Sequence, residues 1–222
     1  MISDFLDAIP LDILAAGFGS IMGAVIGVHH RFALIGVIGL AIISGVGGGL
    51  VRDTLLQQDT PVALQDWGYG AAVLAGGLIG AFFAEAAQRV WQLLLLTDSI
   101  ALGLFAAIGA EASLVLGLPA GSAGAVGTTA AVAGWAIRDR VTGVIPPDLF
   151  KPGDLHGAAA LTGCGLYVLL VTWAGLPSLP AAASCVTVTF VLRWSALRVH
   201  LREPRPHDYS PHWLSVPHRQ TA

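Results

Sequence analysis

Two Arg-Asp pairs, Arg52-Asp53 and Arg138-Asp139, lie in long apolar stretches of the chain, and a lone carboxylate, Glu111, lies in another. In hydrocarbon such groups must be paired or face water, which makes each one a site candidate. The first pair closes the stretch GVGGGLVRD, in which Gly45, Gly47, Gly48 and Gly49 crowd four glycines into five residues. Glycine costs a helix interior about 1 kcal/mol relative to alanine. A broken helix also uncovers backbone groups, which a membrane tolerates only where protein or a water-filled cavity covers them. Carbonyls freed at such a break, with the dipoles of the half-helices, can hold a cation near the midplane. That chemistry predicts a break at Gly47–Gly49 and pore or gate roles for Arg52, Asp53, Glu111, Arg138 and Asp139. A bulky residue at Gly48 is then expected to plug the path and leave assembly intact.

The structural alternative is close helix packing by small residues, the role expected of Gly76 and Gly80. Arg52 stands about nineteen residues, roughly 28 Å, into its run and could reach the interface or pair with Asp53. Glu85, near a helix end, reads as a solvated interfacial residue.

The elements that position these groups follow from composition. Of 222 residues, 55% are hydrophobic and 11% charged, and mean hydropathy is +0.74. A soluble domain carries roughly 25% charged residues, so the expected solvent is a lipid bilayer. The net charge of −3 is weak and diffuse and excludes a nucleic-acid partner. Cys164 and Cys185 lie in apolar runs without metal-ligand spacing and read as small core residues. The tail histidines lack ligand spacing, so no metal or cofactor is implied. The start of the chain carries Asp4, Asp7 and Asp12 but no Lys or Arg, unlike a signal peptide, so its first apolar stretch is expected to remain as a membrane helix.

A span needs about 20 apolar residues. Seven candidates result, at 10–28, 33–57, 67–90, 98–117, 120–143, 155–175 and 178–200. The expected fold class is an all-α polytopic membrane protein. Lys and Arg concentrate in cytoplasmic loops. With the N-terminus outside and the C-terminus inside, ten of the eleven Lys and Arg residues fall on the inner side, Arg52 being the exception. Residues 1–9 form an outer N-terminal segment, and 201–222, rich in Pro and His, a disordered cytoplasmic tail.

A shift of 86 residues aligns Asp12 with Asp98, Gly48 with Gly134, Arg52-Asp53 with Arg138-Asp139, and Pro61 with Pro147. Each copy, 10–90 and 98–175, holds three spans, so the second must enter from the opposite side: an inverted repeat, with the span at 178–200 outside it. Gly134 alone of the four glycines is retained in the second copy, and Trp135 replaces Gly49.

Motifs for a dinucleotide fold, a phosphate loop, a zinc protease or a serine hydrolase are absent, so the chain reads as a non-enzyme. The doubled unit GVGGGLVRDTLLQQDTP and VAGWAIRDRVTGVIPP resembles the prokaryotic branch of the TRIC (trimeric intracellular cation) channels, over about residues 10–200. That branch overlaps with bacterial membrane proteins described as possible glycine transporters. The resemblance implies a seven-helix protomer in a homotrimer. Each protomer would hold a potassium-preferring pore between kinked second and fifth helices, with kinks at Gly47-Gly48-Gly49 and Gly134. The C-terminus, Arg-Gln-Thr-Ala, carries no retention or peroxisomal signal, and the expected residence is a prokaryotic cytoplasmic membrane. The animal channels' gating lysine has no counterpart, since no span contains lysine. A secondary transporter of a small amino acid such as glycine is the alternative, and a purely structural membrane protein would leave the paired charges unexplained.

Overall fold

The structure, a computed structural model, describes residues 2–89, 91–143 and 155–199. The expected inner loop around Lys151 and the tail at 201–222 lie outside those residues.

Among the described residues, long apolar stretches punctuated by short polar turns fold into eight helices and one 3-10 turn. In chain order these are α1 (Ile2–His29), α2 (Leu34–Leu55), the 3-10 turn Val62–Leu64, α3 (Trp67–Phe82), α4 (Ala84–Arg89), α5 (Trp91–Val115), α6 (Ala120–Val141), α7 (His156–Thr172) and α8 (Ser178–Val199). The stops are local. Asp66 caps α3 by accepting from the Gly68 amide at 2.7 Å. Gly117 after α5 and Gly175 after α7 adopt φ of 78° and 63°, the left-handed conformation that ends a helix.

Pro10–His29, α2, Thr97–Val115 and α8 are long and apolar enough to cross a membrane. Helices α3 and α7 are apolar but shorter, and α6 is as long as α2 but rich in Gly, Ala and Thr. The fold is that of an all-α polytopic membrane protein in which α3 and α4 share the third span. Leu34, Ile35, Ile38 and Ile42 of α2 and Leu74, Leu78 and Phe82 of α3 are exposed. So many exposed apolar side chains suit hydrocarbon rather than water.

One expected span needs correction: the third breaks after Phe82 instead of running unbroken from 67 to 90. Helix α1 starts at Ile2 and runs through Pro10, which forgoes one backbone bond without ending the helix, and α5 starts at Trp91. The stretches of these two helices that are apolar enough to cross a membrane begin at Pro10 and Thr97, close to the expected 10 and 98.

Helix α5 is the centre. Every residue from Ala101 to Ser113 is buried, because α1, α6, α7 and α8 all pack on it. In the first half α1 packs on α2 and α3, as in the second half α5 packs on α6 and α7. The halves meet with equivalent elements facing each other, α1 on α5 and α2 on α6. Both pairs run antiparallel. Leu11 shares a cavity with Glu111, whereas Val25 packs with Leu94. On the other seam Gly48 approaches Ala130 while Gly134 approaches Ser44.

Small residues bring the backbones together. A methyl group on Gly45 would come within 2.7 Å of the Ala16 carbonyl oxygen, and one on Gly109 within 2.8 Å of the Gly127 Cα. Gly76 and Gly80 press on the Gly17 and Ile21 carbonyls of α1, the packing role expected of them. The two thiols are fully buried, with Cys164 Sγ 3.6 Å from the Ala106 oxygen and Cys185 Sγ 3.4 Å from the Gly103 oxygen. A water-soluble maleimide is therefore expected to label neither cysteine in the folded protein and both after denaturation, as read by intact mass. Labelling of either thiol in the folded protein would contradict the packing of α7 and α8 on α5.

Candidate functional site

Arg52 and Asp53 fall in the last turn of α2, where both side chains turn inward and are buried. Arg52 donates through Nε to Asp53 Oδ1 and through Nη1 to Asp12 Oδ2, both at 2.7 Å. Asp12 comes from the third turn of α1, and Tyr69 at the start of α3 donates to the same Oδ2 at 2.7 Å. Asp53 Oδ2 accepts from the Val62 amide at 2.8 Å, which ties the 3-10 turn to the end of α2. One guanidinium thus holds two carboxylates. Asp12 Oδ1 is buried without a hydrogen-bond partner.

The second copy repeats the geometry more loosely. Arg138 Nη2 lies 3.1 Å from Asp139 Oδ1, and Arg138 Nη1 lies 3.8 Å from Asp98 Oδ1. The seventh span adds a second cation here, because Arg193 of α8 is fully buried with Nη1 3.4 Å from Asp98 Oδ2. Its Nη2 lies 2.6 Å from His156 Nε2. Arginine can only donate, so that ring nitrogen accepts and carries no proton. Trp135 completes the cluster: the guanidinium carbons of Arg138 and Arg193 stand 5.0 and 4.7 Å from its ring centroid. Such desolvated contacts reach about 2 kcal/mol. Its equivalent, Gly49, sits beside Arg52, where an added Cβ would be 3.8 Å from Nη2. The copies thus differ here in two ways: α8 brings a second arginine to the second cluster, and Trp135 in place of Gly49 supplies the ring that both arginines face. Counting only the described side chains of these ion pairs, the first cluster, with one arginine and two aspartates, sums to −1 in formal charge, and the second, with two of each, to zero.

Between the clusters α2 crosses α6. A Cβ on Gly48 would lie 2.6 Å from the Ala130 oxygen, one on Gly134 3.2 Å from the Gly48 nitrogen, and one on Gly47 3.4 Å from the Gly134 Cα. Gly48 and Gly134 are equivalents under the shift of 86, and so are Ser44 and Ala130. A residue touching its own equivalent marks the two-fold axis. The expected break is not there, because α2 and α6 run as continuous helices through these glycines. Close approach of two backbones is what the positions require. Leucine at Gly48 could not leave assembly intact, since its Cβ would meet a backbone carbonyl.

Glu111 is also placed differently from the sequence expectation. It faces away from the α2–α6 seam, accepting hydrogen bonds from Tyr167 of α7 and, at 2.7 Å, from Ser178 at the start of α8. Glu85 is exposed, as expected of an interfacial residue.

A family model described as Glycine transporter matches residues 9–85 and, a second time, residues 95–172. The chain belongs to this family. Within the family, a UPF0126 membrane protein of Deinococcus radiodurans is 35% identical over 196 residues, 87% of this chain and 89% of its own length. The UPF0126 inner membrane protein YadS of Escherichia coli is 24% identical over 196 residues, 87% of this chain and 93% of its own. The family fold is that of the TRIC channels. The crystal structure of a TRIC trimeric intracellular cation channel orthologue from Rhodobacter sphaeroides matches with a TM-score of 0.79 and 29% identity, covering 87% of this chain and 98% of that one. A second TRIC cation channel structure matches with the same TM-score at 25% identity, over 90% of this chain and 98% of that one. The two matches of the family model start at 9 and 95, 86 residues apart, the shift that superimposes the Arg-Asp pairs.

Proposed function

We propose that this family member is a monovalent cation channel that prefers potassium, with one path inside each protomer along the α2–α6 seam. The observation that carries the reading is the seam itself. Two buried carboxylate–arginine clusters stand at the ends of α2 and α6, and a glycine-to-glycine contact lies between them. The fold shared with a TRIC cation channel orthologue supports it. The path is shut where Gly48 meets Gly134 and opens when the two helices part there. The −1 cluster at Arg52 favours cations, while the arginines keep them from binding too tightly to leave.

The protein works as a homotrimer in a prokaryotic cytoplasmic membrane, with its N-terminus outside and its C-terminus inside. The distribution of basic residues supports that orientation, and trimers are named for the Rhodobacter orthologue. The description of the family model favours a second reading, secondary transport of glycine. Recording from the purified protein in planar bilayers under a potassium chloride gradient separates the two. Discrete openings that reverse near the potassium potential and ignore added glycine are expected. Silent bilayers, with saturable glycine uptake into liposomes from the same preparation, would replace the channel by the transporter.

A further inference from the structure

Apart from the α2–α6 seam, the protomer contains a cavity of about 510 Å³ between α1, α5, α7 and α8. Its polar end is Glu111 with Tyr167 and Ser178, and its walls are apolar, with Leu11, Ile108 and Ala182 among them. It opens at the α7–α8 turn, where Leu179 is 66% exposed. The polar end occurs once per protomer, because the equivalents of Glu111 and Tyr167 in the first half are Val25 and Ala81.

We propose that this cavity binds a small organic ammonium ion, with its head on Glu111 and its alkyl chain along the apolar wall. Glu111 is only 6% exposed, and no Arg, Lys or His lines the cavity or bridges to this carboxylate among the described residues. The N-terminus of α8 offers roughly +0.5 of a charge, which leaves a buried anion without a full counter-charge. A carboxylate has about four lone-pair sites, of which the two hydroxyls take two. Tyr167 and Ser178 spend their only protons on Glu111, so towards the cavity they too present lone pairs. Every side-chain polar atom here is an acceptor, and the only donors are the first-turn amides of α8. The side chains suit a head group made only of donors, and no basic side chain among the described residues offers a carboxylate a counter-charge, which favours an amine over an amino acid. The volume and the apolar walls select an alkylammonium over a bare metal cation.

The test is calorimetric titration of the full-length protein in detergent with n-propylammonium chloride, alongside glycine and potassium chloride. Saturable n-propylammonium binding is expected, at least tenfold weaker in Glu111→Gln and lost in Ala182→Phe. The second variant fills the cavity and keeps the carboxylate with both its hydroxyl partners, so it serves if the first does not fold. Neither glycine nor potassium is expected to compete. No binding by the native protein, or equal binding by Ala182→Phe, overturns the proposal and leaves Glu111 as a clamp between α5 and α8. Competition by glycine overturns the amine assignment and makes the cavity an amino-acid site, and competition by potassium makes it an inorganic cation site.

Discussion

Replacing Gly48 with alanine is expected to destabilise the folded protomer by about 1–3 kcal/mol, the usual cost of forcing an extra carbon into a packed interior. Its new Cβ would stand 2.6 Å from the Ala130 carbonyl oxygen and 3.5 Å from the Phe105 ring. The carbonyl is backbone and cannot swing aside, so α2 and α6 must separate. The same change one residue earlier is expected to act with the opposite sign. A Cβ on Gly47 would meet only the Gly134 Cα at 3.4 Å, ordinary contact. Alanine there regains up to about 1 kcal/mol of helix propensity. The protein already makes this comparison internally, since the equivalent of Gly47 is Ala133 whereas the equivalent of Gly48 is again glycine. Thermal midpoints of the two variants in detergent measure the difference. Equal midpoints would remove the axial contact as the reason for the glycine at 48.

That contact also shows how far the sequence could be read. Composition and span length suffice for a polytopic helical membrane protein, because bilayer thickness leaves few alternatives. The shift of 86 was legible because Arg-Asp and Pro are hard to match by chance in a chain so rich in Ala and Gly. It also carried an unused signal. Asp12 and Asp98 obey the same shift as the Arg-Asp pairs, and an Asp opening one span lies level with an Arg closing the next, antiparallel one. Their pairing was therefore readable, though they served only as repeat markers. The glycine cluster misled because a helix-breaking composition and a helix-packing composition are the same letters. What separates them is whether another backbone lies opposite, which a linear sequence does not state. Tyr69, His156 and Arg193 left less signal. Arg193 counted as one more inner-side charge, and only the packing of α8 on α5 brings it to Asp98. Tyr167, from the same repeat, and Ser178, from the span outside it, reach Glu111 across 56 and 67 residues.

The larger effect is expected at Arg52. Removing one partner from a buried ion pair costs about 3–5 kcal/mol, because the other charge is left buried and uncompensated. Arg52→Ala strands two carboxylates at once, Asp12 and Asp53, with only the Tyr69 hydroxyl and the Val62 amide still donating to them. The upper end of that range, or failure to fold, is therefore expected. Arg138→Ala is the internal control at the equivalent position. Asp98 keeps Arg193 at 3.4 Å, so the loss is expected nearer about 1.5–3 kcal/mol, the worth of a hydrogen bond to a charged group. Arg52→Lys keeps the charge but not the fork that reaches both carboxylates at 2.7 Å, so it is expected to recover only part of the loss. The cause can be isolated by adding Asp12→Asn to Arg52→Ala. If stranded charge dominates, the double variant is more stable than Arg52→Ala alone, an interaction that a double-mutant cycle of thermal midpoints reads directly. If the two losses simply add, Arg52 acts by packing volume, and the difference of one formal charge between the clusters has no bearing on stability.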